Sequence, residues 1–316
     1  MNLYDKASLI LTPNAYKASK LYALKPTNGS GDFTFSRASA KRRRNASGVL
    51  EALANNVPAL EYPVGGGCPA WLLEPQRTNL FLNSFAPVTQ TITVVNGSTY
   101  TVSVSGGSAA LSGAGSGTAT TGTNVTFVAS STSLTVTISG AAVWCQVELG
   151  AYATSPIQTA GTSVTRVADL ANITAVSSLI GQSEGVFYWE GTCQFLTDLV
   201  GVNQSTVNGL YITKGSGSLY RATIYANSVP IGFADVGIKT TKVKIALAYK
   251  SGDSALFVNG AQIGATNTTA FTFTGALSSV RLNDDYLIGR QANSVNAVIL
   301  YPTRLSNAEC IALTTL

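Results

Sequence analysis

The sequence contains no histidine, and charged residues are scarce. Charged side chains make up 11% of the 316 residues, against roughly 25% in an ordinary soluble domain. The lack of histidine excludes an ordinary Ser-His-Asp or Cys-His catalytic system and the zinc sites built on imidazole. The four cysteines are far apart, with no Cys-x-x-Cys pair. We therefore expect them to fill the core rather than to bind zinc.

Long apolar runs are missing too. No stretch approaches the roughly 20 apolar residues of a membrane helix, and the N-terminus has charges and only a short apolar run where a signal peptide would need a longer one. We therefore expect no membrane partner.

The residues that replace the charged ones favour strands and turns. Gly, Ser, Thr, Asn and Val are abundant; β-branched residues pack well on pleated sheets, and Gly and Asn suit turns. The length allows two or three domains of about 100 to 150 residues. We therefore predict an all-β fold.

The net charge of +5 is unevenly distributed. Residues 1–85 hold ten basic and five acidic side chains, residues 86–162 hold only Glu148, and residues 163–316 hold ten basic and nine acidic ones. Much of the N-terminal excess lies in Lys41-Arg42-Arg43-Arg44. This run lacks interleaved aromatic residues and a recognisable nucleic-acid-binding fold. We interpret it as a solvated loop or a docking contact, with nucleic acid as the alternative that we do not favour.

The stretch 68–84, CPAWLLEPQRTNLFLNS, separates the basic N-terminal part from a nearly uncharged one. Pro75 would break a helix, so two short β segments around a turn are predicted. Glu74 and Arg77 would then lie close enough to pair. We interpret the stretch as a buried structural junction with one satisfied ion pair, and a direct ligand contact is the alternative.

Four segments between residues 86 and 142 alternate apolar and polar residues, as half-buried antiparallel strands do. A disordered Gly/Ser/Thr linker is the alternative, but a linker has no reason to keep four alternating registers, so a sandwich is predicted. Turns are expected at Asn96-Gly97, at Gly106-Gly107 and across 112–122. The four segments are 91–95, 100–104, 125–128 and 134–138.

Local signals also mark elements of the C-terminal half. A long strand is predicted over 186–195, and Asn259-Gly260 favours a type I′ hairpin turn. Ser306, with Glu309 three residues later, predicts a capping box at the start of a helix over 307–313.

Three groups of motifs resemble known proteins. The first resembles the N-terminal part of tailed-bacteriophage virion appendage proteins, and the second resembles the end of the carbohydrate-binding-like sandwich in the same proteins. The third is similar to laminin-G or concanavalin-like lectin sandwiches. The motifs are FTFSRAS at 33–39, NVP at 56–58, Tyr62 and LLEPQRTNL at 72–80; then QVELGAYATSP at 146–156 and VTRVAD at 164–169; and finally 245–250, 256–260 and 300–306.

With the local strand and helix signals, the resemblance implies an all-β fold of antiparallel β-sandwiches of the jelly-roll or concanavalin-like kind, with a strand-and-turn N-terminal segment and a short C-terminal helix. It divides the chain into a virion-docking strand segment over 1–67, a small carbohydrate-binding-like sandwich over 68–162 and a laminin-G or concanavalin-like lectin sandwich over 163–316. It implies a structural protein of the virion, a tail or head fibre or spike subunit, assembled in the cytoplasm of the host bacterium. Such a protein would contact other virion proteins, bind host-surface glycans through its lectin-like domain and form a homo-oligomer such as a trimer. A purely structural decoration protein without glycan binding is the alternative, and a polysaccharide-degrading enzyme ranks third.

The resemblance also suggests site residues. Arg42, Arg43 and Arg44 are the candidates for virion docking. Aromatic rings could stack on a sugar, although in a sandwich they more often fill the core. For the same reason we assign Trp71 and Trp144 to the junction and the core. The candidates for stacking are Trp189, Tyr211, Tyr220 and Tyr225.

No cofactor is predicted, but lectin-like sandwiches often bind calcium at loop ends. The nearest candidates here are Asp253 and the pair Asp284-Asp285, although calcium requires several converging oxygen ligands. A glycosidase would need two carboxylates held across a cleft. Glu184, Glu190 and Asp198 lie near one another in sequence, but we interpret them as surface or strand-end groups and expect no enzyme.

Overall fold

The computed structural model describes residues 2–193, 197–203, 207–215, 219–237, 242–283 and 292–316. Nearly all secondary structure in these ranges is β, and every paired strand is antiparallel to its neighbour. The predicted all-β fold class is confirmed. Most strands form two sandwiches, which we call the large and the small sandwich, and two strands form a separate hairpin sheet, at 41–44 and 50–53.

The N-terminal part consists of short strands and one short helix, α1 (Leu3–Lys6). The two short β segments predicted on either side of Pro75 are confirmed as β8 and β9. The strands are β1 (Leu9–Leu11), β2 (Tyr16–Lys17), β3 (Lys20–Leu21), β4 (Phe33–Ser36), β5 (Lys41–Arg44), β6 (Leu50–Leu53), β7 (Leu60–Glu61), β8 (Ala70–Leu73) and β9 (Arg77–Asn79).

The middle part contains two long strands and four short ones, so the prediction of a sandwich rather than a linker is confirmed. Two predicted turns are wrong: Gly106-Gly107 lies inside a long strand, and 112–122 contains a short strand. The strands are β10 (Gln90–Thr93), β11 (Thr99–Gly113), β12 (Gly117–Thr120), β13 (Val125–Val128), β14 (Ser133–Leu149) and β15 (Val164–Arg166).

The C-terminal part ends in helix α2 (Asn307–Thr314), and the predicted capping box between Ser306 and Glu309 is confirmed. Asn259 and Gly260 both have positive φ, 48° and 85°, as a type I′ turn requires. The predicted strand over 186–195 is confirmed as far as Cys193; its last two residues lie outside the described ranges. The strands are β16 (Leu170–Thr174), β17 (Glu184–Cys193), β18 (Thr197–Asn203), β19 (Gly209–Lys214), β20 (Leu219–Ala226), β21 (Val229–Gly232), β22 (Val236–Gly237), β23 (Val243–Lys250), β24 (Ser254–Val258), β25 (Ala261–Asn267), β26 (Ser279–Leu282) and β27 (Asn293–Tyr301).

The large sandwich combines strands from both ends of the chain. One sheet has the order β25-β24-β23-β17-β27-β8-β7, and β1 also pairs with β27. The other has the order β2-β3-β4-β16-β26-β18-β19-β20-β21, and β22 pairs with β20. Their inner faces share one core, to which N-terminal residues such as Phe33 and Trp71 contribute beside Trp189. The predicted boundary at residue 67 therefore does not coincide with a break in strand pairing.

The small sandwich is an insertion in the large one. At its base β9 pairs with β15, so that Arg77 lies opposite Arg166. Strands β11 and β14 form a long hairpin whose register shifts between Ser105 and Gly107. Strand β13 pairs with the first half of β11 and β12 with the second half. The bent hairpin thus supplies both layers, which enclose a separate apolar core.

Helix α2 packs on the outer face of the first sheet of the large sandwich. Its Cys310 joins a third apolar cluster with Tyr188 and Phe257 from that sheet. Glu309 forms an ion pair with Lys6 of α1, so the two ends of the chain meet there. Among the described residues, no helix has the length and apolarity needed to cross a membrane.

Candidate functional site

A cleft of about 720 Å³ lies where the hairpin of β5 and β6, the small sandwich and one sheet of the large sandwich meet. Its size falls within the range of about 300 to 1,000 Å³ that is usual for small-molecule sites. The large sandwich contributes β17 and β27 at Thr192, Cys193, Asn293 and Ser294. We refer to this space as the cleft.

The basic run forms strand β5 and not a solvated loop, so that part of the prediction is wrong. Side chains alternate along a strand, so Arg42 and Arg44 share one face while Lys41 and Arg43 share the other. Lys41 is completely buried, and the other three residues are half-buried. Arg43 pairs with Glu51, with Nη2 and Oε1 2.6 Å apart. All three arginines line the cleft.

Arg42 and Arg44 are held by polar and aromatic contacts. The guanidinium carbon of Arg42 lies 4.1 Å from the centroid of the Phe85 ring, and its Nη2 donates to Gln158 Oε1 at 2.5 Å. Arg44 Nη1 donates to the carbonyl oxygen of Gly48 at 3.0 Å. Within the described ranges, neither guanidinium forms a salt bridge with a carboxylate. Burial lowers the pKa of Arg42 from its ordinary value, but an arginine remains charged at neutral pH.

Glu61 is a carboxylate that lines the cleft together with this pair of arginines. Its Oε2 accepts the backbone N–H of Arg44 at 2.6 Å. Burial raises the pKa of Glu61 from its ordinary value, more than this hydrogen bond and the neighbouring cations lower it. The electrostatic balance at this wall therefore favours positive charge.

Three aromatic rings complete the cleft. Phe85 and Trp144 are half-buried, and Trp144 lies on β14 opposite Ser105. Tyr152 follows β14, with the Arg77 guanidinium 4.8 Å from its ring centroid. Burial raises the pKa of the Tyr152 phenol to about 12. Trp144 was expected in the core, and this is wrong, because its ring lines the cleft.

Buried ion pairs behind the cleft connect the two sandwiches. Asp169 accepts from Arg37 Nη1 at 3.0 Å and from Lys41 Nζ at 2.6 Å. Glu74 Oε2 lies 2.9 Å from Lys41 Nζ and 3.0 Å from Arg166 Nη1. We call these five residues the junction network. Each carboxylate meets two cations, which offsets the cost of removing the charges from water.

The junction network confirms that the stretch 68–84 contains a buried junction, but the predicted Glu74–Arg77 pair is wrong. Strands β8 and β9 belong to different sheets, so the two side chains meet different partners. Arg77 Nε lies 3.7 Å from Glu148 Oε2 instead. Four of the five network residues come from the motifs at 33–39, 72–80 and 164–169 that carry the resemblance given above.

The four aromatic residues predicted to stack on a sugar lie elsewhere. Trp189, Tyr211 and Tyr220 have relative exposures of 0%, 1% and 2%. Tyr225 is half-buried and meets Tyr211 edge to face, with ring centroids 5.8 Å apart. The structure does not bring the four to the cleft, and only Tyr225 presents part of its ring to solvent. Their role in sugar binding stays a prediction.

The acidic candidates are dispersed. Asp253 accepts from Arg304 Nη2 at 3.0 Å, and Asp284 and Asp285 lie outside the described residues. Glu184 pairs with Lys250, and Glu190 with Lys242; the Asp198 side chain is outside the description. The described ranges contain no group of three or more Asp, Glu, Cys or His side chains placed to hold a metal ion.

Sequence reasoning did not identify this cleft. The spacing of Arg42 and Arg44 was a usable signal, since two residues apart on a strand means a shared face. Phe85 and Tyr152 lie in connections between strands, where no periodic pattern shows which way a side chain points. They meet the arginines only through long-range packing.

Comparisons with known proteins show limited similarity. No family model and no curated protein matches the chain. The Ruminococcus gnavus IT-sialidase CBM40, solved with α2,3-sialyllactose, is 16% identical, with a TM-score of 0.37, over 45% of this chain and 91% of its own. The leech intramolecular trans-sialidase is 15% identical, with a TM-score of 0.37, over 43% of this chain and 24% of its own. A pentraxin of Limulus polyphemus is 10% identical, with a TM-score of 0.33, over 42% of this chain and 70% of its own.

Proposed function

We propose that this chain is a structural protein of a tailed-phage virion, a fibre or spike subunit, that binds a host-surface glycan in the cleft between its sandwiches. The cleft is the observation that carries the binding proposal. A pyranose ring has apolar C–H faces and a polar rim, and the cleft offers half-exposed aromatic rings beside guanidinium and amide groups. The resemblance of the motifs at 33–39, 72–80 and 164–169 supports the virion part.

Weak single sites suffice for such a role. A subunit repeated around a particle engages many copies of a surface glycan, and linked binding events reach avidities about 10² to 10⁴ times higher than a single site. An oligomer of the chain would therefore bind cells more durably than one copy.

The binding proposal is tested with the full chain on a glycan array and on host cells, comparing wild type with Trp144→Ala. Trp144 is half-buried, so its removal should weaken binding at least about tenfold while leaving the fold intact. Tyr225→Ala is the matched control, because it removes another half-buried aromatic ring outside the cleft. Loss of binding in Tyr225→Ala alone would instead place the site on the sheet of the large sandwich that contains β20.

The virion proposal is tested on purified phage particles. Antibody against the chain should decorate intact particles, and particles lacking the chain should adsorb to host cells more slowly. Detection of the chain only in the unassembled fraction of a lysate would contradict a place in the virion.

A purely structural decoration protein is the second candidate function. One observation favours it: four charged residues of the resembling motifs lie in the buried junction network and so maintain the framework of the molecule. In that case the chain would be found on particles, but full-length protein would bind neither array glycans nor cells, and its removal would leave adsorption unchanged.

A further inference from the structure

We propose that the ligand of the cleft is an anionic saccharide, whose carboxylate or phosphate is held by Arg42 and Arg44. This inference rests on the glycan-binding function proposed above and adds the chemical class of the glycan. It is drawn from the two arginines that share one face of β5, line the cleft and lack a carboxylate partner in the described part of the chain.

The other charges around the cleft are compensated. Arg43 pairs with Glu51, and Glu74 is paired with Lys41 and Arg166 in the junction network. Among the described residues that line the cleft, Glu61 alone opposes the two arginines. An anion bound between them would therefore supply a missing negative charge, and the walls of a half-closed cleft reduce the solvent screening of that interaction.

Arg42 is oriented before any ligand binds. The Phe85 ring covers one face of its guanidinium, and Gln158 accepts from one of its N–H groups. In the described contacts, four of its five N–H donors have no protein acceptor. A planar, fixed guanidinium matches a carboxylate or phosphate with two parallel hydrogen bonds. Arg44, two residues along the strand, adds the second cation.

The same features fit a saccharide better than a nucleic acid. Sites for single-stranded nucleic acid combine a positively charged groove along the backbone with successive stacking rings. Here the positive charge is confined to two arginines in a bounded cleft, and Phe85 is already covered by Arg42. Tyr152 is buried beneath Arg77, so the half-buried Trp144 remains for contact with a sugar ring.

The test measures affinities of the full chain for matched probes. The carboxylate probe is trigalacturonate, compared with its uncharged methyl ester, and the phosphate probe is a glycerol-phosphate oligomer of the teichoic type. A glycan array sorted by charge covers other sugars, and a short oligothymidylate tests nucleic acid. We expect the array binders to be acidic, and the better of the two charged probes to bind at least about tenfold more tightly than the methyl ester.

Substitution connects the affinity to the two arginines. Arg42→Gln and Arg44→Gln should each weaken binding of acidic glycans by about 10- to 100-fold, the usual loss for a hydrogen bond to a charged group. Arg221→Gln is the control. It removes the same charge from Arg221 on β20, which forms a partly exposed ion pair with Asp235. Should Arg42→Gln fold poorly, Arg42→Lys retains the charge without the planar geometry and should bind weakly.

The outcomes separate this inference from the proposed function. Binding of neutral glycans that is unchanged in Arg42→Gln and Arg44→Gln would overturn the anionic ligand and leave glycan binding intact. Acidic binding that both variants retain would overturn the site. Oligothymidylate binding that exceeds every saccharide would point to nucleic acid, and no binding of any array saccharide would overturn both proposals.

Discussion

At the scale of single residues, Asp169 is the most demanding position in the junction network. Its carboxylate accepts from Arg37, from Lys41 and from the backbone N–H of Glu74 at 2.8 Å, and its side chain is fully buried. Asp169→Asn would leave two buried cations short of a counter-charge. We expect a loss of about 3 to 5 kcal/mol in the free energy of unfolding, measured by urea denaturation.

Asp235→Asn is the matched control for that variant. Asp235 also pairs with an arginine, Arg221, but both side chains are partly exposed. Exposed pairs contribute about 0 to 1 kcal/mol, so this variant should unfold close to wild type. Equal losses in the two variants would show that burial of the network adds nothing to its strength.

Glu74 makes the stability of the fold depend on pH. Burial alone would raise its pKa, but Arg166, Lys41 and Ser155 together hold the pKa at about 2, below the ordinary 4.5. A carboxyl with a depressed folded-state pKa stabilises fully above its unfolded pKa and loses this contribution as pH falls. The difference in unfolding free energy between wild type and Glu74→Gln should therefore narrow, by on the order of 3 kcal/mol, between pH 4.5 and 2. A constant difference over that window would be inconsistent with this ionic role.

Glu148 should show the opposite pH dependence. Burial raises its pKa more than the hydrogen bonds from Thr154 and the charge of Arg166 lower it. Its protonated form is favoured in the folded state, so its contribution is present at low pH and is lost as pH rises through the folded-state pKa. As the pH is lowered, the free energy of unfolding of Glu148→Gln should therefore decrease more steeply than that of wild type. A shallower decrease in the variant than in wild type would contradict a raised pKa of Glu148 in the folded state.

Local sequence predicted only part of this residue-scale chemistry. A buried role for Glu74 followed from its place in an apolar stretch, but its partners Lys41 and Arg166 are distant in sequence and could not be chosen over the nearby Arg77. Lys41 and Arg42 are adjacent and equally charged, yet one is buried in the network and the other faces the cleft. Strand alternation explains the difference, once the run is known to be a strand.

At the scale of elements, the bend in β11 depends on Gly106. Its φ is 90°, and a Cβ there would lie 2.4 Å from the carbonyl oxygen of Ala141 on β14. Gly122 has a similar φ of 81° but nothing within 4 Å. Gly122→Ala should therefore cost about 1 to 2 kcal/mol for the left-handed backbone alone. Gly106→Ala should cost about 1 to 3 kcal/mol more, because the hairpin must shift.

Thermal unfolding of the two variants measures this difference. The comparison isolates the close approach of β14, because the backbone penalty is common to both positions. Equal melting temperatures would mean that the bend accommodates a methyl group, and the register shift at Ser105 would then need another cause.

The strands themselves were the most predictable elements. Alternation identified β10, β11, β13 and β14, because each keeps one face in the core of the small sandwich. The pair Gly106-Gly107 was misinterpreted as a turn, because positive φ serves a bulge inside a strand as well as a turn between strands. Only the partner strand decides between these, and pairing is not visible in a local pattern.

At the scale of the whole molecule, the large sandwich is built from distant segments. Strand β1 pairs with β27, with Leu9 opposite Leu300, and β4 pairs with β16. Each sheet therefore needs strands from before and after the small sandwich. The sequence indicated where composition changes, and we placed boundaries there, but composition does not record which strands pair. The cleft likewise arises only where the insertion returns to the large sandwich.

This topology predicts which parts of the chain fold alone. Residues 163–316 alone would lack β1 and β8 beside β27, and β4 beside β16, so Leu300 and Ile173 would be exposed. The fragment should be insoluble or unfolded by circular dichroism, and co-expression with residues 1–75 should restore a cooperative unfolding transition. A fragment 163–316 that unfolds cooperatively by itself would show that the N-terminal strands dock onto a finished sandwich instead of completing it.

The large sandwich, by contrast, should fold without the small one. Arg77 and Arg166 are paired neighbours, so replacing 78–165 with a short turn should leave the large sandwich folded, with lower stability from the lost Ser155 contacts to Glu74.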